Sequence, residues 1–201
     1  MTEINNIIFQ ILAIFILVGF YSIYIGKMIL QKRIGIQTDQ IAKGKKSKEL
    51  FLTEIIMKIA TYSIVLVEII SIYKSTTFDF TLLRIIGAII GIAGVLLFGI
   101  AVSTMKDSWR AGIPESDKTD LVTTGIFSIS RNPAFLAFDL VYLGILLMFF
   151  NWILLIFTIF SIIMLHLQIK QEEKFLIVTF GKEYQKYKLQ TRRYIGRKTG
   201  I

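Results

Sequence analysis

Four apolar runs constrain this chain more than any other feature: three near residues 7–26, 54–73 and 83–103, and a longer one from Ala134 to Leu165. About 20 helical residues at 1.5 Å each cross roughly 30 Å of hydrocarbon, so each of the first three can span a bilayer. The fourth, as one helix, would extend about 48 Å, too long for a single crossing. Its stretch FFNWIL offers a break, since Asn151 suits a turn and Trp152 a membrane–water interface. The sequence therefore predicts an all-α integral membrane protein, one membrane domain over 1–201. It has five transmembrane helices near 7–26, 54–73, 83–103, 134–150 and 152–167, the last two forming a helical hairpin, and a cytoplasmic C-terminal helix within 168–201.

Charge orients these spans. Lys27, Lys32, Arg33, Lys43, Lys45, Lys46 and Lys48 face only Asp39 and Glu49 in the first connection. From Lys170 onward nine basic residues face Glu172, Glu173 and Glu183, whereas the 74–82 connection balances Lys74 against Asp79. Five crossings put both basic segments on one side, as the positive-inside rule requires, and four would separate them. The N-terminus is thus expected outside, with the 27–53 loop, the 104–133 loop and the tail in the cytoplasm. The opening MTEINNIIFQILAIF has no basic n-region and no small-residue cleavage site, so it reads as a retained span rather than a signal peptide.

The net charge of +9 accompanies 54% hydrophobic residues and a mean hydropathy of +0.66. Clustered in a few segments without aromatic–basic interleaving, these cations read as topology signals and contacts to membrane lipids, not as a nucleic-acid surface. The absence of cysteine excludes disulfides, thiolate metal sites and cysteine nucleophiles, and a single histidine argues against a metal centre.

A hairpin turning at 151–152 sets at equal depth positions whose numbers sum to about 303. Arg131 then meets the level of Glu172, and Asp139 falls within a turn of His166. An acid at depth needs a partner, so an Asp139–His166 contact is expected, structural in character. Glu68 reads as structurally paired or at headgroup level, and Glu54 and Lys58 as an i,i+4 pair. In Arg131-Asn132-Pro133, Pro133 suits the first turn of a helix, Asn132 can cap it, and the free N–H groups with Arg131 favour an anion. Across the hairpin, Glu172 and Glu173 offer carboxylates to an ammonium group or to sugar hydroxyls. A ligand carrying an anion, a cation and hydroxyls would satisfy both sides.

LVTTGIFSISRNPAFLAF, followed some 40 residues later by QEEKFLIVTFGKEYQKYK, resembles the isoprenylcysteine carboxyl methyltransferase and phospholipid methyltransferase group of membrane enzymes. The positions carrying the resemblance are Gly125, Arg131, Pro133, Glu172, Glu173, Leu176, Phe180, Gly181, Tyr184 and Tyr187. It covers about residues 85–195. It implies S-adenosylmethionine as methyl donor, in contact with Gly125, Phe127, Arg131, Asn132, Pro133, Phe135, Glu172, Glu173, Leu176 and Tyr184. Asn132 stands where the group has histidine, and Phe127 and Phe135 where it has tyrosines.

Trp109 and Arg110, in SWRAGIP, are read either as part of the site or as an interface anchor with a headgroup contact. Arg110 and Glu172 are the candidate catalytic residues. The implied reaction moves a methyl group to a lipid-like or prenylated acceptor entering from the bilayer, and rests on proximity, alignment and desolvation. A carboxylate acceptor needs no base, while an amine would need one, such as a glutamate. The alternatives are an NADPH-dependent membrane sterol or enone reductase and a non-catalytic lipid-binding protein.

Overall fold

The structure, a computed structural model, describes residues 2–75, 81–114 and 119–198. Among these, all regular structure is helical: α1 (Thr2–Arg33), α2 (Lys48–Lys74), α3 (Thr81–Met105), α4 (Pro133–Met148) and α5 (Trp152–Gln190), with short 3-10 turns at Lys106–Ser108 and Gly125–Ser128. Four of the five helices are long and apolar enough to cross a membrane; α4, at 16 residues, is shorter. Asp79 and most of the 74–82 connection lie outside the described residues.

The break in the fourth apolar run falls where the sequence puts it. Asn151 caps α5, its side chain accepting from the Leu154 N–H at 2.9 Å, and Trp152, 69% exposed, begins the helix. α4 nonetheless stops at Met148, two residues before the expected end. The larger difference is the far end of α5. Apolarity fades near residue 167, but the Gln-, Lys- and Glu-rich sequence that follows is good helix-forming material without proline, so the helix runs on. It bends at Gly181, whose φ of 52° and ψ of −122° suit only a residue without Cβ. That bend turns Tyr184 and Tyr187 inward, where both are buried.

The two helices of the hairpin do not pack mainly on each other. α4 lies against α3 and α5 against α2, while α1 leans on α3. The α3–α4 seam is closed by glycine: a Cβ on Gly87 would stand 2.6 Å from the Gly144 carbonyl oxygen, and one on Gly144 would stand 2.7 Å from that of Gly87. Small residues let membrane helices bring their backbones this close, gaining dispersion contacts that lipid cannot supply. An aromatic cluster of Phe20, Tyr24, Phe98, Trp109 and Phe138 fills the space between α1, α3 and α4.

Several expected pairs are rearranged. Glu54 is fully buried and does not meet Lys58; it takes the Lys46 ammonium at 2.5 Å, the Ala42 N–H at 2.6 Å and the Ile113 N–H at 3.1 Å. Lys58 approaches Asp39 instead, at 4.0 Å. One carboxylate thus fastens both the α1–α2 loop and the loop after α3 to α2. A bridge between Asp39 and Ala111, with the Gln40 N–H on the Ala111 carbonyl at 2.7 Å, joins the two loops directly. Gln31 completes the joint, donating to the Trp109 carbonyl at 3.1 Å. Trp109 is buried among aromatic rings, not anchored at an interface. Glu68 is fully buried, and neither carboxylate oxygen has a hydrogen-bond partner among the described residues.

Candidate active site

A cavity of about 960 Å³ lies between the α2–α5 pair and the α1–α3–α4 group. Its polar end is built from three places in the sequence. The loop before α4 and the first turn of α4 supply Phe127, Arg131, Asn132, Pro133 and Phe135; α5 supplies Gln168, Glu172, Leu176, Tyr184 and Tyr187; the loop after α3 supplies Arg110 to Pro114. α1 and α2 add mainly apolar lining with Lys32 and Lys58 among it; of these lining residues, Ile25, Ile29 and Tyr62 are also exposed on the outside of the bundle. The cavity is therefore lined in part by side chains that are also exposed on the outer surface of α1 and α2.

The hairpin register holds to within one residue: Arg131 pairs with Glu173, Nη2 to Oε1 at 2.7 Å, rather than with Glu172. The two glutamates separate in task because consecutive helical residues point about 100° apart. Glu172 lines the cavity, where its Oε1 accepts from Gln168 Nε2 at 3.3 Å. Glu173 is not among the cavity-lining residues. Arg193 also grips it, Nε to Oε1 and Nη2 to Oε2 at 2.9 Å each, and that carboxylate holds the Arg193 guanidinium proton more firmly than usual.

Arg131 Nε and Nη1 are buried without a hydrogen-bond partner among the described residues. Buried charged donors demand an acceptor, so this end of the cavity is suited to an anion. Asn132 does not cap α4 with its side chain; Nδ2 donates to the Arg193 carbonyl at 3.1 Å. Tyr187 hydroxyl donates to the Phe127 carbonyl at 2.6 Å, tying the bent end of α5 to the loop before α4. Gly125 opens the 3-10 turn behind the cavity and does not line it. Arg110 adds a positive charge to the opposite wall, its Nη1 held by the carbonyls of Asp107 at 2.5 Å and Trp109 at 2.8 Å.

Asp139 and His166 do not pair. His166 Nδ1 lies 2.5 Å from the Tyr194 hydroxyl, and Asp139 Oδ1 is buried without a hydrogen-bond partner among the described residues. Sequence reasoning missed Gln168, although its i,i+4 spacing to Glu172 was a readable signal. It also missed Arg193, which no spacing argument pointed to, and Glu54 as the fastening of the loop wall.

The sequence model of the isoprenylcysteine carboxyl methyltransferase (ICMT) family matches residues 85–178. A protein-S-isoprenylcysteine O-methyltransferase of Saccharomyces cerevisiae is 33% identical over 110 residues, 53% of this chain and 46% of that protein. The chain thus spans about half the length of the curated relative it matches. The stretch similar to the isoprenylcysteine carboxyl methyltransferase family takes in most of α3, the loop carrying Arg131, α4 and α5 as far as residue 178.

Proposed function

We propose that the protein transfers a methyl group from S-adenosylmethionine to a lipophilic carboxylate, that of a prenylated thiol or cysteine-like compound, at the cytoplasmic face of its membrane. One observation carries this reading: one cavity brings together Arg131, Glu172 and Arg110 with apolar side chains of α1 and α2, among them Ile25 and Ile29, that are exposed on the outside of the bundle. The name of the yeast relative supports the acceptor class.

The residues at the charged end fit such a donor. The partnerless N–H groups of Arg131 suit its carboxylate, Glu172 with Gln168 suits its ammonium or ribose hydroxyls, and the buried Tyr184 closes the wall beside them. The donor supplies an already activated methyl group on a sulfonium. The chain's own part is to bind, align and exclude water. Arg110 places positive charge where an acceptor carboxylate would rest, and α1 and α2 supply the apolar path for its tail. A carboxylate acceptor needs no proton removed, so no residue is required as a base. Phe127 and Phe135 line the cavity as rings without hydroxyls, leaving polar contacts to Asn132, Tyr184 and the charged residues.

The test is methyl transfer by the detergent-purified chain from labelled S-adenosylmethionine into a prenylcysteine mimic, run beside a total lipid extract. A methyl ester releases its label as methanol in alkali, whereas an N-methylated lipid keeps it. Alkali-labile label in the prenylcysteine mimic is the expected outcome. Label confined to alkali-stable lipid would move the acceptor to an amine, and binding of NADPH in place of S-adenosylmethionine at millimolar concentration would reject the reading.

A further inference from the structure

Residues 191–198 form a strap that clasps the loop before α4 from behind. The Arg131 N–H donates to the Arg192 carbonyl at 3.1 Å, Asn132 Nδ2 to that of Arg193 at 3.1 Å, and the Gly196 N–H to that of Ile129 at 2.8 Å. Tyr194 holds the strap to α5 through His166. None of the strap residues lines the cavity. These contacts flank Arg193, so its position is fixed from both sides.

We infer that Arg193 is a positioning residue that keeps the Arg131 guanidinium available to an anionic group in the cavity, and so sets the preference for a donor bearing a carboxylate. The inference rests on the reading of Arg131 as the donor-carboxylate contact.

Glu173 carries one negative charge between two guanidinium groups. Arg193 occupies both of its oxygens, whereas Arg131 reaches it through Nη2 alone. The preferred geometry of an arginine with a carboxylate is the two-pronged one, and Arg193 already holds it. Arg131 is therefore kept by one corner, with Nε and Nη1 unsatisfied by any described residue. The three side chains together carry one net positive charge, which a bound carboxylate would neutralise. Without Arg193, Glu173 and Arg131 would neutralise each other and could close into their own two-pronged pair, turning the remaining donors away from the cavity.

The experiment measures dissociation constants of S-adenosylmethionine and of its decarboxylated analogue on the full chain in detergent. The wild type is expected to favour the carboxylated donor. Arg131→Ala should narrow that preference about tenfold, and Arg193→Ala should narrow it to a similar extent. Arg193→Lys, a single-pronged partner, should fall between wild type and alanine and serves if the alanine variant does not fold. In a Glu173→Gln background, where no carboxylate competes for Arg131, Arg193→Ala should no longer change the ratio.

Loss of affinity for both donors alike in Arg193→Ala, with Arg131→Ala still narrowing the preference, would overturn the inference and reduce the strap to a structural clasp. A preference untouched by Arg131→Ala would instead reject the reading of Arg131 on which it rests.

Discussion

Glu172 and Glu173 are adjacent in the chain yet face different demands, and their substitutions should separate. Glu172→Gln keeps the side chain's shape and its contact with Gln168 but removes its charge. It should weaken S-adenosylmethionine binding about tenfold with little change in melting, as read by calorimetry in detergent. Tyr187→Phe acts on stability instead. It takes a hydroxyl from the buried Phe127 carbonyl and should cost about 1–2 kcal/mol of stability, seen as a lower melting temperature. At this scale the sequence showed depth but not direction. Counting outward from Asn151 placed Arg131 within one residue of its partner, because both helices rise equally per residue. The same count paired Asp139 with His166, which the structure does not join, since depth leaves open how each helix is rotated about its axis. Arg193 lies beyond the hairpin, in a segment with no periodic pattern to fix its position.

Helix cores were legible from apolarity, and the Asn151 cap from its residue type; helix ends and packing partners were less so. Hydropathy reports where lipid contact ceases, and α5 continues well past that point. The seam between α3 and α4 was written in the glycines, but the hairpin reading assumed that sequence neighbours pack together. Gly144→Ala tests the seam: its Cβ would meet the Gly87 carbonyl oxygen and the Gly91 nitrogen at 2.7 Å, backbone atoms that cannot step aside. It should destabilise the protein by about 2 kcal/mol, measured by melting in detergent. The loop joint offers a pH test. Partial burial pushes the Asp39 carboxyl up, but the Lys43 ammonium and the Ile41 N–H outweigh it and hold the group below the usual carboxylate range. A lowered folded value means that this stabilisation is complete above the ordinary carboxylate range and is lost as pH falls through the folded value. Amide exchange at Gln40 and Ala111, corrected for its intrinsic rate, should therefore accelerate below about pH 4, and Asp39→Asn should remove that acid dependence.

For the whole molecule, the charge pattern makes a prediction that the cysteine-free sequence is well suited to test. Single cysteines at Lys45 and Lys186 should react with an impermeant thiol reagent from one side of the membrane, and one at Ser75 from the other. Lys45 and Lys186 labelled from opposite sides would mean that α4 does not cross. The length of α4 has one more consequence. Its 16 residues rise about 24 Å, some 6 Å less than the hydrocarbon of an ordinary bilayer. For a crossing α4 with Trp152 at the headgroup level of the Asn151 end, the Pro133 end would stop short of the opposite headgroups, and lipid beside it would have to thin. Such thinning costs fractions of a kcal/mol per Å, and the cost rises with acyl-chain length. Bilayer thickness would then act on the proposed methyl transfer, and turnover in vesicles of graded lipid length should decline as the chains lengthen, with the protein unchanged.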